Sequence, residues 1–499
     1  MNIQNHPTPT DITAWLGGAH CEILGFGVTG KALLPWLKSH GITSITVRDK
    51  CSLQTMIDTG DAQLIASVGA SLMCGEDYLD GLGDTPNTLI FRSPGIRPDI
   101  PAITQALQKG ARLTSEMEAF LTLTPARVIA VTGSDGKTTT TTLVSKMLGA
   151  QVERQGRGRV FLGGNIGIPL LPCVDDMTAE DFAVVELSSF QLMTMPPEAR
   201  IHTAIITNIT PNHLDWHTDM TEYITAKANI GKSHTLGRVV LNAGNPSTYQ
   251  IGQEMGEGRV VWFSAKDVSS LPSLSFDATT ITCQDGQVVW QAGQGTEAQI
   301  CLTVKDILIP GYHNVENYMA AIGAVMGLLD MDVVDEIART FKGVEHRLQL
   351  VREAGGVRFY NSSIDSTPSR TCAALLALRQ LQKQRGEGND PIVICGGRDK
   401  KVGFGELAEG LCRMASKVVI TGEARDQIWT ALQDCPLYDP QKLPVFVIPD
   451  YMSAMQEACA MAKAGDIVVL SPACTSFDAF KNYAQRGFAF AKIVEALQL

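Results

Sequence analysis

The chain has 499 residues, of which 44% are hydrophobic and 19% are charged, and its formal net charge is −11. A chain of this length exceeds what one hydrophobic core usually covers, so two or three domains are expected, and the acidic balance argues against a broad nucleic-acid surface. No run of about 18 apolar residues, no secretory signal pattern and no Cys-x-x-Cys pair among the twelve cysteines is present, which predicts a cytoplasmic protein without a membrane span or a zinc site.

The first block of the chain alternates strands with helices. Strands are predicted over residues 21–25, 42–49 and 87–93, and a helix over residues 30–40. The run Gly25-Phe-Gly-Val-Thr-Gly30 matches G-x-G-x-x-G between the first strand and the helix, and Asp49 ends the next strand. Such a loop can hold a pyrophosphate while the acid binds a ribose, although glycines in many turns of this kind serve packing alone.

Residues 121–127 are predicted to be a linker into a second domain. The run Val131-Thr-Gly-Ser-Asp-Gly-Lys-Thr-Thr139 then lies between a short strand, 128–130, and a helix, 138–148. A glycine turn before a helix directs backbone N–H groups at a phosphate, Lys137 adds positive charge, and the Thr138 hydroxyl can bind Mg²⁺. The general P-loop pattern requires glycine where Val131 stands, but the strand–turn–helix context favours ATP or GTP binding over an ordinary turn.

Three polar residues follow in the second domain. Strands are predicted over residues 183–187, 204–209, 238–242 and 259–263, a small β region over 265–308, and helices over 313–329 and near 333–341. Glu186 at the end of a strand could hold Mg²⁺ or cap a helix, and His213 could bind a metal or end a loop. Lys227, taken alone, is an ordinary solvated helix lysine.

A third block begins near residue 344 and repeats the strand–helix unit. Its strands are predicted over residues 357–361, 392–396, 417–421, 445–448 and 466–471, each followed by a helix. The alternation predicts an α/β protein built on parallel sheets. We expect a Rossmann-like domain at residues 1–124, a P-loop domain at 125–343 and a second Rossmann-like domain at 344–499.

Taken together, these motifs resemble the Mur ligase family over nearly the whole chain. Further markers are Ser93-Pro94-Gly95, residues 163–169, 186–191, 208–215 and 223–227, Gly311-Tyr-His-Asn314 with Asn317, and His346-Arg347. The most specific marker is the run from Leu470 to Gly487, which is typical of the glutamate-adding branch. The Asp-Asn-Pro-Arg signature of the diaminopimelate-adding branch is absent.

The resemblance implies a cytoplasmic, monomeric ligase of peptidoglycan precursor synthesis that joins D-glutamate to UDP-N-acetylmuramoyl-L-alanine through an acyl phosphate. It implies that ATP is bound by Gly133, Ser134, Asp135, Gly136, Lys137, Thr138, Thr139, Asn317 and Arg347. The nucleotide-linked substrate is implied to contact Val28, Thr29, Asp49, Lys50, Gly95, Asn165, Ser188 and Gln191. Two Mg²⁺ ions are implied at Thr138, Glu186, His213 and Lys227, the lysine being converted by CO₂ to a carbamate. The implied glutamate pocket contains Ser366, Lys400, Ser476 and Tyr483, and the implied catalytic residues are Lys137, Glu186, His213 and Lys227.

The first loop of the third block departs from the family pattern. It reads Asn361-Ser-Ser-Ile-Asp-Ser-Thr367 where the family commonly has Asn-Asp-Ser-Lys-Ala-Thr-Asn, so an acid becomes Ser362 and a lysine becomes Ile364. Thr367 followed by proline predicts a helix start, which places Arg370 in the first turn, where a cation is unfavourable for the helix dipole. We predict that Arg370 replaces the absent lysine at the glutamate pocket; a solvated surface arginine is the alternative.

Two other functions remain open at this point. Another amide ligase of the same superfamily, such as a folylpolyglutamate synthase, is disfavoured by the Gly25–Asp49 unit, because folates need no uridine-diphosphate domain. A non-catalytic nucleotide-binding regulator is disfavoured because Lys137, Glu186, His213 and Lys227 are all retained.

Overall fold

The structure is a computed structural model that describes residues 9–255, 258–265, 274–275, 277–293, 295–384, 389–400 and 402–498. The chain divides into two compact units, one made of Met1–Leu302 with Glu316–Val334 and the other of Thr303–Val315 with Asp335–Leu499. Within the described ranges, no helix is both long and apolar enough to cross a membrane. The first unit contains two β-sheets and the second unit contains one.

The first sheet is parallel throughout and has the order β3-β2-β1-β4-β5. Its strands are β1 (His20–Leu24), β2 (Ile45–Asp49), β3 (Ser71–Cys74), β4 (Thr88–Arg92) and β5 (Arg112–Thr114). Its helices are α1 (Pro9–Leu16), α2 (Val28–Ser39), α3 (Leu53–Asp58), α4 (Asp61–Ser67), α5 (Pro101–Gln108) and α6 (Glu116–Leu123). The strand order reverses between β1 and β4, which opens a crevice at their carboxyl ends where ligands bind in sheets of this type.

The G-x-G-x-x-G run forms the predicted strand–loop–helix connection at that crevice. Helix α2 begins at Val28, two residues earlier than predicted. A Cβ atom added at Gly30 would lie 2.7 Å from the Gly25 carbonyl oxygen, so any other side chain would push the helix away from the loop. Glycine at position 30 therefore allows the helix to pack closely on the loop. This is the packing role that such glycines have in many turns of this kind.

The second sheet has nine strands in the order β14-β13-β12-β11-β10-β9-β6-β8-β7. They are β6 (Arg127–Thr132), β7 (Val160–Gly164), β8 (Phe182–Glu186), β9 (Thr203–Ile206), β10 (Arg238–Asn242), β11 (Val260–Ser264), β12 (Thr279–Gln284), β13 (Gln287–Gln291) and β14 (Gln299–Thr303). The helices that follow are α7 (Lys137–Gln155), α8 (Ser189–Leu192), α9 (Met220–Ala228), α10 (Pro246–Met255), α11 (Tyr312–Val325) and α12 (Met331–Thr340). Short 3₁₀ helices span Leu171–Asp176, Asn229–Lys232 and Val304–Asp306.

Strand register brings three loops to one edge of this sheet. Strand β6 lies between β8 and β9 and is parallel to both, with Val131 opposite Glu186 and Thr132 opposite Ile206. The segments that follow these three strands are the glycine turn, the 187–191 segment and the 207–217 loop. Because the carboxyl ends of parallel strands share an edge, residues widely separated in sequence meet there.

Two sequence expectations about this unit were wrong. Residues 121–123 belong to α6 rather than to a linker, and Leu121 and Leu123 are buried in a hydrophobic core shared by both sheets of the unit. Proline and threonine at 124–125 suggested a long linker, but only residues 124–126 separate α6 from β6. The sheet is also not wholly parallel, because β13 pairs antiparallel with β12 in the predicted small β region. Part of that region, residues 266–273, 276 and 294, lies outside the described residues.

The sheet of the second unit has the order β15-β16-β20-β17-β18-β19. Its elements are β15 (Gln349–Ala354), β16 (Val357–Asn361), α13 (Pro368–Gln384), β17 (Ile392–Gly396), α14 (Gly405–Met414), β18 (Lys417–Thr421), α15 (Arg425–Gln433), β19 (Val445–Val447), α16 (Tyr451–Ala460), β20 (Ile467–Leu470) and α17 (Tyr483–Ala496). Edge strand β15 is antiparallel to β16, whereas the other pairs are parallel. Along β17, Ile392 and Ile394 pack into one apolar cluster and Val393 into another, so helices cover both faces.

Candidate active site

The glycine turn after β6 leads directly into α7. Gly133 and Gly136 have φ values of 148° and 79°, which L side chains rarely adopt. A Cβ atom at Gly136 would collide with the Asn317 side chain, whose Oδ1 is also 3.3 Å from the Thr140 hydroxyl. Asn317, predicted to contact ATP, therefore lies directly against the turn.

Lys137 is the first residue of α7, one residue before the predicted helix start. Its Nζ donates to the carbonyl oxygens of Gly133 and Ser134, at 2.9 Å in each case. A phosphate oxygen is a stronger acceptor for an ammonium group than a neutral carbonyl. The lysine is thus held at the turn, where an arriving phosphate would compete for its protons.

The turn is tied to the loop that follows β9. The Ser134 hydroxyl donates to the Thr210 carbonyl at 2.9 Å and lies 3.0 Å from the Tyr223 hydroxyl. The Asp135 amide donates to Asn208 Oδ1 at 2.9 Å. Ser134 is buried, so its side chain fixes the turn, whereas Asp135 is exposed. Thr138 and Thr139 lie on the first turn of the helix that follows.

Glu186 has one carboxylate oxygen without a hydrogen-bond partner among the described residues. Its Oε1 accepts a hydrogen bond from Asn165 Nδ2 at 2.9 Å, while Oε2 is buried and accepts none from that part of the chain. A buried carboxylate oxygen left unpaired is costly, so the site is suited to a cation. Oxygen donors of this kind fit Mg²⁺, which is usually held by one or two carboxylates together with phosphate and water.

His213 lies on the loop after β9 at the same edge of the sheet and is exposed. Its φ is 54°, and its carbonyl accepts the amides of Trp216 and His217 at 3.1 and 2.9 Å. Desolvation and the nearby Lys137 ammonium lower the pKa of His213, which favours the neutral, metal-binding imidazole. Across the described part of the chain, no three His, Cys, Asp or Glu side chains form a ready-made metal cluster.

Lys227 is buried, and the interpretation of this residue as a solvated lysine was wrong. It lies on α9 with 1% of its surface exposed, and its Nζ donates to the Gly133 carbonyl at 2.7 Å. The Nζ is also 4.7 Å from the centre of the Tyr223 ring, and no carboxylate among the described residues forms an ion pair with it. Burial, and secondarily the Lys137 charge, lower the pKa of Lys227 to about 6, which favours the neutral amine.

A cavity of about 250 Å³ lies between the two sheets of the first unit. Four of the residues predicted to bind the nucleotide-linked substrate line it, namely Val28, Thr29, Asn165 and Gln191. Asn165, which lines the cavity, is also the residue that donates to Glu186. The phosphate-type loop after β1 and the edge of the second sheet therefore face a common space.

The Asp49 carboxylate stabilises the loop after β1 through hydrogen bonds. Its two carboxylate oxygens accept the amides of Phe26 at 2.7 Å and of Cys51 at 2.8 Å. Desolvation alone would raise the pKa of Asp49. The hydrogen bonds from these two amides outweigh that effect, so the pKa lies below the ordinary value. The carboxylate thus fixes the glycine loop, while the adjacent Lys50 is exposed.

Ser188 and Gln191 form a reciprocal capping box at the start of α8. The Ser188 hydroxyl accepts the Gln191 amide at 3.2 Å, and Gln191 Oε1 accepts the Ser188 amide at 2.9 Å. This box sets the direction of the chain immediately after Glu186. Gly95, the remaining residue predicted to bind the substrate, offers its carbonyl to the Trp216 indole at 3.3 Å.

The second unit brings together two residues predicted for the glutamate pocket. Lys400 Nζ donates to the Ser366 hydroxyl at 2.9 Å. Tyr483 begins α17 and is exposed, and Ser476 is buried. Helix α13 begins at Pro368, so Arg370 lies in its first turn, as predicted, and is exposed. Arg347, predicted to contact ATP, lies in this unit and is half-buried.

Two residues that sequence analysis did not single out hold this region of the second unit in place. Arg486 is fully buried, and its guanidinium donates to the carbonyls of Ser363, Cys474 and Thr475 at 2.9–3.1 Å. Asp365 is buried, accepts the Ser471 hydroxyl at 2.8 Å, and has a pKa raised by burial to about 6. The available signal for Arg486 was its place inside the run from Leu470 to Gly487, the most specific marker in the sequence.

Comparisons with known proteins agree with this geometry. The family model described as Mur ligase middle domain matches residues 131–325, and the one described as Mur ligase, glutamate ligase domain matches residues 346–474. The UDP-N-acetylmuramoylalanine–D-glutamate ligase of Acetivibrio thermocellus is 39% identical over 481 residues, which cover 95% of this chain and 96% of that protein. The enzyme of the same name from Ruminiclostridium cellulolyticum is 40% identical over 481 residues, with 95% and 96% covered.

A solved structure shares the fold at lower sequence identity. A UDP-N-acetylmuramoyl-L-alanyl-D-glutamate–2,6-diaminopimelate ligase superposes with a TM-score of 0.54 at 19% identity, over 91% of this chain and 93% of that chain. At this identity the likeness concerns the α/β fold alone. The sequence relatives, in contrast, match along nearly the whole chain.

Proposed function

The chain belongs to the Mur ligase family, and we propose that it is an ATP-dependent ligase that joins D-glutamate to UDP-N-acetylmuramoyl-L-alanine. The observation that carries the activity is the common edge of the second sheet. There the strand that leads into the glycine turn of Lys137 pairs with the strand that ends at Glu186, and Asn165, which donates to Glu186, lines a cavity together with Val28. A phosphate donor, a cation and an anionic substrate can thus meet at one place.

The first step joins two anions. A carboxylate oxygen of the alanyl group attacks the γ-phosphorus of ATP, the bond to the ADP oxygen breaks, and an acyl phosphate forms. Lys137 and the N-terminus of α7 stabilise the charge that accumulates on the transferring phosphoryl group, since both are already oriented at the turn. Mg²⁺, which the family uses, would be held by Glu186, His213 and the Thr138 hydroxyl and would screen the remaining charge.

The second step forms the amide bond. The amine of D-glutamate, after losing a proton, attacks the acyl carbon, and phosphate leaves. We assign the recognition of the glutamate carboxylates to Lys400, Ser366, Ser476 and Tyr483, with Arg370 supplying charge in place of the missing lysine. The contact between Lys400 and Ser366 supports this assignment, as does the exposure of Arg370 in a helix turn where a cation lowers stability.

Lys227 is proposed to act as a carbamate. A neutral amine can attack CO₂, forming an N–C bond and releasing a proton, whereas an ammonium group cannot. The burial of Lys227, its lack of a carboxylate partner among the described residues and its contact with the glycine turn support this proposal. The resulting anion would attract the cation that an ammonium would repel.

We further propose a three-domain organisation, with Rossmann-like domains at residues 1–124 and 344–499 and, between them in the sequence, an ATP-binding domain at 125–343. The presence of one sheet in each range supports this division. The ATP sites assigned to Asn317 and Arg347 and the substrate contacts of Asp49, Lys50 and Gly95 belong to the same proposal. A cytoplasmic location belongs to the same proposal, because ATP and the nucleotide-linked substrate are cytoplasmic metabolites, and so does a monomeric state.

Phosphate release tests the activity. The purified protein should release phosphate from ATP only when UDP-N-acetylmuramoyl-L-alanine and D-glutamate are both present. Replacing D-glutamate with L-glutamate or with another D-amino acid should abolish the signal. Strong release with a folate, or with L-alanine in place of glutamate, would show that the chain is a different ligase.

A further inference from the structure

A cluster of polar and aromatic side chains connects the loop after β4 with the edge of the second sheet. The loop, residues 93–99, contains the Ser-Pro-Gly motif and is called the substrate loop below. The cluster consists of Arg97, Ser189, Phe190, Trp216, His217 and Glu222 and is called the Arg97 cluster. None of its members belongs to the groups assigned above to ATP, metal or substrate.

Arg97 uses its whole guanidinium group in this connection. Its five N–H groups make five hydrogen bonds: two to Asp99 within the loop, two to Glu222 and one to the Trp216 carbonyl, the last at 2.6 Å. The guanidinium carbon also lies 4.9 Å from the centre of the Trp216 ring. Only a planar fork satisfies these partners together, so the position is specific for arginine.

Glu222 connects Arg97, through His217, to the helix that follows Glu186. Its Oε2 is 3.0 Å from His217 Nδ1, and His217 Nε2 is 2.8 Å from the Ser189 hydroxyl. The His217 side chain is fully buried, so water does not compete for these contacts. Ser189 begins α8, three residues after Glu186.

Trp216 makes the second connection, to His213. The amides of Trp216 and His217 donate to the His213 carbonyl and so define the turn in which His213 has its left-handed backbone. The Trp216 indole donates to the Gly95 carbonyl of the substrate loop. The Phe190 ring lies 4.4 Å from that of Trp216 and 5.1 Å from that of His213.

The two partners of Arg97 outside the substrate loop, Trp216 and Glu222, thus belong to segments that present residues of the proposed metal site. Trp216 is in the turn of His213, and Glu222 is on α9, five residues before Lys227. Arg97 and Glu222 are each about one-fifth exposed, so their ion pair is largely shielded from solvent. Movement of the substrate loop must therefore displace Trp216 and α9, or break these bonds.

We propose that Arg97, Glu222 and His217 are positioning residues that couple binding of the uridine-diphosphate substrate at the substrate loop to Mg²⁺ binding at the Glu186–His213 edge. The proposal rests on the proposed function. Because Arg97 joins the substrate loop to Trp216 and Glu222, a ligand that fixes the position of the loop also restrains the segments of His213 and Lys227, so the second ligand binds to segments that are already restrained. Because coupling is reciprocal, the substrate raises metal affinity by the same factor as the metal raises substrate affinity.

The test measures metal binding without catalysis. Mn²⁺ serves as the probe for Mg²⁺, and electron paramagnetic resonance reports free Mn²⁺ in ATP-free protein with and without UDP-N-acetylmuramoyl-L-alanine. In the parent, the substrate should lower the Kd for Mn²⁺ by about fivefold or more, the usual lower range of coupling between sites. Arg97→Gln and Glu222→Gln should each bring this factor close to one while the protein remains folded by circular dichroism.

Arg159→Gln is the matched control. Arg159 also pairs with a carboxylate, that of Asp181 at 2.9 Å, and lies 5.0 Å from the centre of the Phe161 ring. It precedes β7, at the end of that strand opposite to Asn165. Its loss should lower stability in a similar way and leave the substrate effect on Mn²⁺ binding unchanged.

The outcomes separate this proposal from the activity. A parent without any substrate effect on Mn²⁺ binding, variants that keep the effect, or a control that loses it equally would each overturn the role of the cluster. If Arg97→Gln does not fold, Glu222→Gln decides, since it keeps the shape of the side chain. Turnover of the same parent preparation is measured in parallel: an inactive parent refutes the ligase activity, whereas an active parent with uncoupled sites refutes only the inference drawn from the cluster.

Discussion

Replacing Asp365 with asparagine should stabilise the protein at neutral pH and have little effect at acidic pH. Burial raises the pKa of this carboxyl from 3.8 to about 6, against the opposing effects of the Ser362 and Ser471 hydroxyls and of Arg347 and Arg370. The folded protein therefore binds more protons than the unfolded chain between these two values. The carboxyl's contribution to stability is complete below about pH 4 and is lost as the pH rises through about 6.

The magnitude follows from the same shift. One pKa unit corresponds to about 1.4 kcal/mol, so a rise from 3.8 to about 6 corresponds to about 3 kcal/mol. Asparagine has nearly the same shape and does not ionise. The difference in unfolding free energy between Asp365→Asn and the parent should shift by up to about 3 kcal/mol in favour of the variant between about pH 4 and pH 8.

Urea unfolding followed by circular dichroism at several pH values measures this difference. Because the variant and the parent are compared at the same pH, the contributions of all other titrating groups to the unfolding free energy cancel, including those that set the isoelectric point near 5.4. Asp426→Asn is the control, because the Asp426 carboxylate is 79% exposed and is solvated in both states. If the difference in unfolding free energy between Asp365→Asn and the parent does not change with pH, or changes only as it does for the control, the reasoning is refuted. The partners of Asp365 would then offset the cost of burying its charge.

Three substitutions test the proposed catalytic groups. Lys137→Ala should lower kcat by roughly 10²-fold or more, the scale for one preorganised charge contact, and an unchanged kcat would exclude its phosphate role. Lys227→Ala should be nearly inactive and be partly restored by acetate, which supplies an anion in place of the carbamate; an unmodified lysine in the mass spectrum of active enzyme would contradict this. Arg370→Ala should lower kcat/KM for glutamate by roughly tenfold, about 1.4 kcal/mol, whereas unchanged constants would refute its role in place of the missing lysine.

Features encoded within a short stretch of sequence were predictable. The glycine turn and its flanking strand and helix are contiguous, so the pattern around Gly136 and Lys137 was sufficient to place them. Strands β16, β17 and β18 were predicted at the residues where they occur, because buried parallel strands appear as short apolar runs bounded by turn residues. The order of elements along the chain therefore determined the fold class.

Tertiary packing decided what the local pattern left open. Lys227 looked like a solvated helix residue, and its burial depends on a carbonyl, that of Gly133, 94 positions earlier in the chain. The Arg97–Glu222 pair spans 125 positions, so no local periodicity signals it. Leu121 was assigned to a linker because its neighbours favour a turn, yet the core shared by two sheets makes it helical. Sequence sets local geometry, whereas burial and the partners of charged groups depend on which distant segments pack together, because desolvation and hydrogen bonding are set by the final three-dimensional neighbours.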